Sequence, residues 1–370
     1  MLTRPFGQTG LASTILGFGG FHLLEIDLET STRLLNAYLD SGGNYIETAA
    51  NYGNGESERK IGQAISHRRQ EYMLVSKMAD RDRDGFLKTL DRSLENLQTD
   101  HLDVVLMHGV ATLAELDQIL GPGGAIEGFL TAREAGKADH VGLSMHGRPD
   151  VLIEALKQYP FEAVMTTINY YDRFNFPAIE DELLPLAAEK GCAVILMKPL
   201  ADGLLWQSAS RAFQYAFSRP VSVVVTGINT EAMLRDDLTF ANDYVPPTDE
   251  ALEQLYHDAP ELGNYVCRQC GLCLPCPEQI DLPLIFLMEG HYDRQMRDGI
   301  VRNASDFALR DRLRFWFGND RQAREDYAAL TVKADRCTDC GLCNERCPYG
   351  IDVMRKLKIA DYKLAGRSIY

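Results

Sequence analysis

The sequence predicts an α/β chain in which a (β/α)8 TIM barrel is followed by a smaller, mainly α-helical domain. Three observations predict this arrangement. Short apolar runs alternate with amphipathic stretches as far as residue 241, the unit occurs eight times, and eight of the nine cysteines follow residue 262. Since one hydrophobic core organises roughly 250 to 300 residues, 370 residues fit two domains. We expect the barrel over residues 1–262 and the second domain over residues 263–370.

The predicted strands are mostly apolar runs of four to six residues. They lie at Ile15–Gly19, Tyr45–Thr48, Met73–Ser76, Leu102–Met107, His140–Leu143, Ala163–Ile168, Ala193–Met197 and Val221–Thr226. Helical periodicity follows most of them, for example at Thr30–Asp40, Glu56–His67, Gly85–Leu97 and Glu182–Lys190. Repeated β/α units of this number favour a closed barrel, whose active site lies at the C-terminal ends of the strands.

Two further segments carry local patterns. Thr3–Phe6 and Ser13–Thr14 flank a glycine-containing turn, which predicts a hairpin at the bottom of the barrel. Leu282–Leu330 is too apolar and periodic for a disordered linker, so it predicts helices within the second domain. The aromatic residues expected to pack there are Phe315, Trp316 and Phe317.

Composition and charge exclude several classes of function. The net charge of −15 argues against nucleic-acid binding, which needs a basic surface. The acidity belongs to the first 263 residues, with 21 Lys and Arg against 38 Asp and Glu, while the rest is nearly balanced at 17 against 15. No apolar run approaches the roughly 20 residues that span a bilayer, and the N-terminus does not resemble a signal peptide. We therefore expect a cytoplasmic protein without membrane contact.

Eight cysteines form two compact runs, each followed by proline. The first run comprises Cys267, Cys270, Cys273 and Cys276, and the second comprises Cys337, Cys340, Cys343 and Cys347. Such clustering in a cytosolic chain indicates metal binding rather than disulfides. Thiolates are the soft ligands that iron–sulfur clusters require, and two-residue spacing wraps three sulfurs around one face of a cluster. Two [4Fe-4S] clusters are the main prediction, with a pair of structural zinc sites as the alternative.

The second run resembles the bacterial ferredoxin motif, and the pair of runs is similar to α-helical ferredoxin-like domains in which a helical insert separates them. In two-cluster ferredoxins the fourth cysteine of each run binds the other cluster. The resemblance therefore implies that Cys347 completes the first three ligands of the first run, and that Cys276 completes those of the second.

Polar residues follow three consecutive predicted strands of the barrel. Glu47 and Tyr52 follow the second strand, Lys77 follows the third, and His108 follows the fourth. A lysine and a histidine that close apolar runs are costly to bury unless they have partners. We therefore expect one shared polar cluster at the barrel mouth.

The segment from Gly43 to Gly53 resembles the Asp-Thr-Ala-x-x-Tyr-Gly motif of the aldo-keto reductases, with Glu47 in place of the usual Asp. The resemblance covers about 250 residues and maps the family's catalytic tetrad onto Glu47, Tyr52, Lys77 and His108. It implies that Tyr52 protonates a carbonyl, with a pKa lowered by Lys77. Glu47 would orient Lys77, and His108 would orient the substrate. The alternative is a polar network that only closes the barrel mouth.

The same resemblance implies a site for NADP or NAD along the other strand ends. Ser144 and Asn169 match the residues that hold the carboxamide. The residues implied for the rest of the nucleotide are Lys198, Gly227, Asn229 and Arg235. Phosphates in barrels commonly sit after the seventh and eighth strands, where a helix begins.

The expected function is an NAD(P)-dependent oxidoreductase that reduces a small-molecule carbonyl or oxidises an alcohol, with the clusters exchanging electrons with a redox protein partner. Nicotinamide transfers a hydride whereas each cluster transfers single electrons, so a mediator is needed. A flavin in the barrel is one option, and a substrate that tolerates radicals is another. The alternative function is an electron-transfer or docking protein whose barrel has lost turnover.

Overall fold

The structure, a computed structural model, describes residues 1–296 and 320–366 of the chain. These residues form two compact units. The first comprises Met1–Asn169 and Ala178–Pro246, and the second comprises Tyr170–Pro177 and the described residues from Pro247 onward. No helix among the described residues combines the length and apolar character that crossing a membrane requires. The expected aromatic packing of Phe315, Trp316 and Phe317 lies outside the described residues.

The first unit is a closed barrel of eight parallel strands preceded by a two-stranded hairpin, which confirms the predicted fold class. The hairpin strands are β1 (Thr3–Pro5) and β2 (Ala12–Thr14). The barrel strands are β3 (Leu16–Gly19), β4 (Tyr45–Glu47), β5 (Met73–Met78), β6 (Leu102–Met107), β7 (Ala138–Ser144), β8 (Ala163–Thr167), β9 (Ala193–Met197) and β10 (Val223–Gly227). Each strand pairs with the next in sequence, and β10 closes the barrel against β3.

Alternate residues of the strands fill the barrel interior, because successive side chains of a strand point to opposite faces. The buried interior cluster consists of Phe6, Tyr45, Met73, Val75, Val104, Leu106, Ala163, Met165, Ala193, Ile195, Val223 and Val225. The same alternation continues towards the carboxyl ends of the strands. Glu47 lies two residues after Tyr45, Lys77 two residues after Val75, and His108 two residues after Leu106. The alternation that packs the core therefore also directs three polar side chains into the barrel mouth.

The hairpin lies at the opposite end of the barrel. Phe6, directly after β1, is fully buried within the interior cluster, and its ring centroid lies 6.1 Å from that of Tyr45. Gly7 has a φ of +57°, and a Cβ there would lie 2.6 Å from the carbonyl oxygen of Gly191. Only glycine tolerates both that conformation and that approach. The hairpin predicted from Thr3–Phe6 and Ser13–Thr14 thus closes the bottom of the barrel.

Helices surround the barrel, and four of the nine begin at a side-chain cap. Asp27 accepts from the amide of Thr30, Asp82 accepts from that of Gly85, and Thr112 forms a capping box with Glu115. The α-helices are α1 (Leu28–Asp40), α2 (Glu56–Ile65), α3 (Arg83–Leu97), α4 (Leu113–Leu120), α5 (Ala125–Glu134), α6 (Pro149–Gln158), α7 (Leu184–Lys190), α8 (Ala209–Ser218) and α9 (Glu231–Asn242). The helix predicted to begin at Glu182 instead starts with a π-helical turn over Ile179–Leu183, ahead of α7.

The second unit is helical where the structure describes it. Its α-helices are α10 (Asp249–Asp258), α11 (Leu282–Asp293), α12 (Asp320–Ala329), α13 (Leu342–Arg346) and α14 (Val353–Leu364). The centre of its core is α11, in which seven of twelve residues are buried. Cys267 lies in this core, while most of the other clustered cysteines pack partly buried against it. A core formed around cysteine-bearing loops suits a domain that is stabilised by what those cysteines bind.

Candidate functional site

The residues predicted to form the catalytic tetrad come together at the C-terminal end of the barrel. Glu47 ends β4, Lys77 lies in β5 one residue before its end, and His108 directly follows β6. Tyr52 lies on the loop after β4, where its backbone amide donates to the carbonyl of Ala49 at 3.1 Å. Parallel pairing of these three neighbouring strands aligns their carboxyl ends. This places the four residues on one arc of the mouth.

Lys77 is the centre of the arrangement and is only 2% exposed. Its ammonium forms an ion pair with Glu47, donates to the carbonyl oxygen of Thr48 at 2.8 Å, and donates to the Tyr52 hydroxyl at 3.1 Å. An ammonium has three N–H donors, and each has a partner here. Lys77 is thus held in one orientation, with its charge directed at the Tyr52 phenol.

The pKa values of Lys77 and Tyr52 depend on burial and on the contact of Lys77 with Glu47. Burial lowers the pKa of Lys77 and raises the pKa of Tyr52. A neutral Lys77 would leave the buried Glu47 carboxylate without a counterion, which is strongly unfavourable. The ion pair therefore keeps Lys77 charged, and that charge opposes the effect of burial on Tyr52 by favouring the phenolate.

His108 stands on the other side of the phenol. Its ring centroid lies 5.8 Å from that of Tyr52, with the rings at 79°. Burial lowers the pKa of His108 well below its usual range, and the charges of Lys77, His146 and Arg81 act in the same direction. Its Nδ1 atom is buried without a hydrogen-bond partner among the described residues. A neutral imidazole beside a phenol can donate a hydrogen bond to a substrate oxygen.

The residues predicted to hold a nucleotide lie on the remaining arc. Ser144 ends β7 and accepts from the amide of Gly109 at 3.1 Å. Asn169 follows β8 and donates to the carbonyl of Lys198, which follows β9, at 3.1 Å. The Lys198 ammonium pairs with Asp202. These strands are consecutive in the barrel, so a hydroxyl, an amide and an ammonium share one side of the mouth.

The last strand contributes the loop before α9. Gly227 packs so closely on His22 that a Cβ would lie 1.9 Å from its ring. Asn229 donates to the Glu25 carboxylate at 2.7 Å, and Thr230 caps α9. The start of α9 supplies the positive helix end that binds phosphates. Arg235, one turn further along α9, is exposed.

The two cysteine runs adopt matching backbone conformations. Gln269 and Asp339 have positive φ values of 57° and 55°, and Gly271 and Gly341 have values of 72° and 83°. The amide of Gln269 donates to the sulfur of Cys267 at 3.4 Å, and the amide of Asp339 donates to that of Cys337 at 3.5 Å. Amide hydrogen bonds to cysteine sulfur are characteristic of iron–sulfur ligand loops. The backbone of both runs therefore fits a bound cluster.

The cysteines of both runs are intermixed. One cavity is lined by cysteines of both runs, namely Cys273, Cys276, Cys337, Cys340 and Cys343. Burial raises the pKa of Cys267 to about 11, and the neighbouring thiols of Cys270 and Cys347 act in the same direction. Cys276 thus lies near the second run, and Cys347 lies near the first.

Sequence reasoning missed several contributors to these sites. The Thr48 carbonyl has no sequence signal, since every residue carries one. Arg81 donates to the backbone carbonyls of His108 and Gly109 at 2.9 and 3.0 Å, which fixes the loop after β6. The pairing of Glu25 with Asn229 joins the loops after β3 and β10, whose sequence separation of 204 residues hides it. The only sequence signal for this contact was an acidic residue, Glu25, in the first β/α loop.

Comparisons with known proteins agree with this geometry. The aldo/keto reductase family model matches residues 15–255, and the 4Fe-4S dicluster domain matches residues 263–351. The Bacillus subtilis protein named uncharacterized oxidoreductase YqkF is 28% identical over 217 residues, which cover 55% of this chain and 67% of the relative. L-galactose dehydrogenase of Arabidopsis thaliana is 28% identical over 241 residues, covering 59% and 74%.

Among solved structures, the holo form of an aldo-keto reductase from Bacillus halodurans superposes with a TM-score of 0.59 at 25% identity. The match covers 69% of this chain and 95% of that one. Both the barrel and the part of the chain that follows it are thus accounted for by known domains. The chain belongs to the aldo/keto reductase family and is an oxidoreductase of that family, with a 4Fe-4S dicluster domain after its barrel.

Proposed function

We propose that the barrel catalyses nicotinamide-dependent reduction of a small-molecule carbonyl, or oxidation of the corresponding alcohol, and that two [4Fe-4S] clusters exchange electrons with a redox protein partner. The observation that carries the proposal is the contact between the Lys77 ammonium and the Tyr52 hydroxyl, with Glu47 on the ammonium. This contact favours turnover over the alternative of a docking protein with an inactive barrel, because a merely closed mouth would not need a cation directed at a phenol.

In the reduction, Tyr52 donates its hydroxyl proton to the carbonyl oxygen. The phenol is a weak acid, so the adjacent Lys77 charge assists by stabilising the phenolate left behind. Glu47 keeps Lys77 protonated and in place. His108 donates a hydrogen bond to the same oxygen and orients it. In alcohol oxidation the proton moves back to Tyr52, and the name of the relative L-galactose dehydrogenase supports this direction as well.

A bound nicotinamide supplies the hydride. Ser144 and Asn169 would hold its carboxamide, while Lys198, Gly227, Asn229 and the start of α9 would hold the phosphates and ribose. The hydroxyl, amide and helix end on this arc fit such a ligand. Arg235 is the nearest cation for a 2′-phosphate, and its exposure leaves room for either NADP or NAD. A flavin is the alternative mediator between hydride and single-electron transfer.

The clusters would be bound by crossed sets of ligands. Each set takes three cysteines of one run and the fourth of the other. The first set is Cys267, Cys270, Cys273 and Cys347, and the second is Cys337, Cys340, Cys343 and Cys276. The cavity lined by both runs supports this assignment. We place the end of the barrel domain at residue 262 and the protein in the cytoplasm, where thiols stay reduced.

The test is to purify the protein anaerobically and measure iron, acid-labile sulfide, flavin and nucleotide together, then follow NADPH and NADH oxidation with a panel of aldehydes and ketones. Tyr52→Phe should lower kcat by about 100-fold or more, with unchanged cluster content and unfolding midpoint. Undiminished turnover by Tyr52→Phe would refute the role of Tyr52. Zinc without sulfide would refute the clusters.

A further inference from the structure

The two cysteine runs share one backbone conformation but have different surroundings. In the second run, the Asp339 carboxylate pairs with Lys358 at 2.8 Å, and both side chains are more than half exposed. Cys340 is exposed, as is its counterpart Cys270 in the first run. In the first run, Cys267 is 8% exposed, and its amide donates to the buried side chain of Gln295 at 2.7 Å. The two runs therefore differ in the burial of their first cysteine, since Cys267 is buried whereas Cys337 is only partly buried.

Beside the first run lies a fully buried group of four charged side chains, which we term the buried quartet: Glu289, Asp293, Lys356 and Lys363. Lys356 pairs with Glu289 at 2.6 Å, while Lys363 pairs with Glu289 and with Asp293, each at 2.8 Å. All four side chains are at most 2% exposed in these pairs. Despite burial, Lys356 and Lys363 hold the pKa of Glu289 to about 2, while burial lowers the pKa of Lys356. With all four groups ionised, the charges of the quartet cancel.

Of the two lysines of the quartet, Lys356 lies nearer to the ring of Tyr265, which precedes the first run. Its ammonium lies 3.6 Å from the ring centroid of Tyr265, two residues before Cys267, and the Tyr265 hydroxyl donates to Glu289 at 2.6 Å. The same ammonium lies 5.0 Å from the ring of Phe286, which shares the domain core with Cys267.

A contribution to the stability of the fold does not explain why four charged side chains are buried together. Burying ion pairs removes charges from water at a cost that often exceeds their mutual attraction, and apolar residues of similar volume are frequently as stable. A buried charge does, however, act over longer distances than an exposed one, because water and salt do not screen it. The reduction potential of a cluster depends on nearby charge, on hydrogen bonds to its sulfurs and on solvent exposure.

We propose that Lys356 raises the reduction potential of the cluster bound by the first set of cysteines, so that the two clusters have unequal potentials. The inference rests on the proposed cluster ligands. Reduction adds one electron, and hence one negative charge, at the cluster. The buried Lys356 ammonium stabilises that charge, while Glu289 partly offsets the effect. The exposed pair of Asp339 and Lys358 exerts little influence on the second cluster, because solvent screens it.

This asymmetry gives the domain a direction for electron flow. Electrons move spontaneously towards the higher potential. Electrons that reach the cluster of the second set would therefore pass to the cluster of the first set. The charges of the quartet thus set a constant difference between the reduction potentials of the two clusters in the second unit.

The experiment is a redox titration of the anaerobically purified, full-length holoprotein, followed by electron paramagnetic resonance and absorbance. The variants are Lys356→Met, Glu289→Gln and the double variant. Lys358→Met is the matched control, since it removes a lysine from the same helix at an exposed position. Cys340→Ser, which removes a ligand of the second set, assigns each midpoint to its cluster.

Lys356→Met should lower the potential of the first cluster, changing its ratio of oxidised to reduced forms about tenfold at fixed potential, or ~59 mV for one electron. Glu289→Gln should raise that potential, and the double variant should return it close to wild type. Lys358→Met should leave both midpoints unchanged. The opposite signs separate an effect of charge from a loss of packing.

Two results would overturn the inference: equal shifts of both clusters, or shifts of the same sign in Lys356→Met and Glu289→Gln. If Lys356→Met does not assemble its first cluster, the potentials of Glu289→Gln and of the double variant still test the inference. Neither of these two variants gives the quartet a net negative charge. A wild-type protein without iron and sulfide would instead contradict the proposed function on which the inference rests.

Discussion

The Lys77 ammonium donates to the phenolic oxygen of Tyr52 over 3.1 Å and also lies 4.8 Å from the centre of that ring. Its opposite side meets the Glu47 carboxylate. The cation is therefore shared between an anion that keeps it charged and a phenol whose deprotonation it favours. Changing either neighbour should alter both the stability and the chemistry of the barrel mouth.

Lys77→Met should destabilise the barrel by about 3 to 5 kcal/mol, because it leaves the buried Glu47 carboxylate without its counterion. Carbonyl reduction should fall by about 100-fold or more at the same time. Urea unfolding and steady-state kinetics measure the two effects. Lys137→Met is the control, since its pair with Asp91 is largely exposed and contributes about 1 kcal/mol or less. Equal destabilisation by both variants would contradict this account.

Glu47→Gln should move the alkaline limb of the kcat profile to lower pH. Burial already lowers the pKa of Lys77, and removing the carboxylate removes the group that opposes this. Lys77 then loses its proton at a lower pH, and the phenolate loses its cation. Glu47→Asp keeps the charge but withdraws it by about 1.5 Å, so its profile should lie between those of wild type and Glu47→Gln. An unmoved limb in Glu47→Gln would show that Glu47 does not act through Lys77.

Asp237→Asn should stabilise the barrel above neutral pH. Burial raises the pKa of Asp237 on α9 to about 7, against about 3.9 in the unfolded chain. Between these values the unfolded state has lost the proton and the folded state has kept it, so wild-type stability falls as pH rises. The variant should therefore gain about 2 to 4 kcal/mol at pH 8 and almost nothing at pH 4.

Urea unfolding of Asp237→Asn at the two pH values measures this difference. Asp236→Asn, its exposed neighbour on the same helix, serves as the control; because the Asp236 charge adds less than burial does to the raised pKa of Asp237, its gain at pH 8 should be much smaller. A gain of the same size at pH 4 and pH 8 would rule out ionisation of Asp237 as the cause.

If the ligand sets are crossed, cysteine variants from different runs should give the same spectrum. Cys347→Ala and Cys267→Ala should each lose the first cluster and leave the same spectrum, although the two residues belong to different runs. Cys276→Ala and Cys337→Ala should share the other spectrum. Each variant should keep about four of eight iron atoms, whereas Cys192→Ala should keep all of them. A match between Cys347→Ala and Cys337→Ala would show uncrossed sets.

Much of the fold followed from the spacing of apolar residues. Leu102–Met107 and Ala193–Met197 were predicted with their observed bounds, because the second is a continuous apolar run and the first is interrupted only by Asp103. The strand predicted at Met73–Ser76 extends to Met78, since Lys77 points into the barrel and does not interrupt pairing. A π-helical turn such as Ile179–Leu183 has no comparable sequence pattern.

The candidate site was predictable to the extent that strands bring residues together. Glu47, Lys77 and His108 follow apolar runs of three neighbouring strands, so their meeting followed from topology alone. The contact of Lys77 with the Thr48 carbonyl and the bonds of Arg81 to the loop after β6 did not, because backbone atoms are the same in every residue. The buried quartet was also not foreseen, since nothing in Lys356 or Glu289 distinguishes a buried charge from a solvated one.

The hairpin that inserts Phe6 into the floor of the barrel determines how molecules reach the chemistry. Because the Phe6 ring fills the floor, the proposed dinucleotide and carbonyl compound would both enter through the open rim at the opposite end. Whichever of them sits deeper would have to bind first and leave last. The sixth residue of the chain would thereby impose an ordered sequence of binding and release.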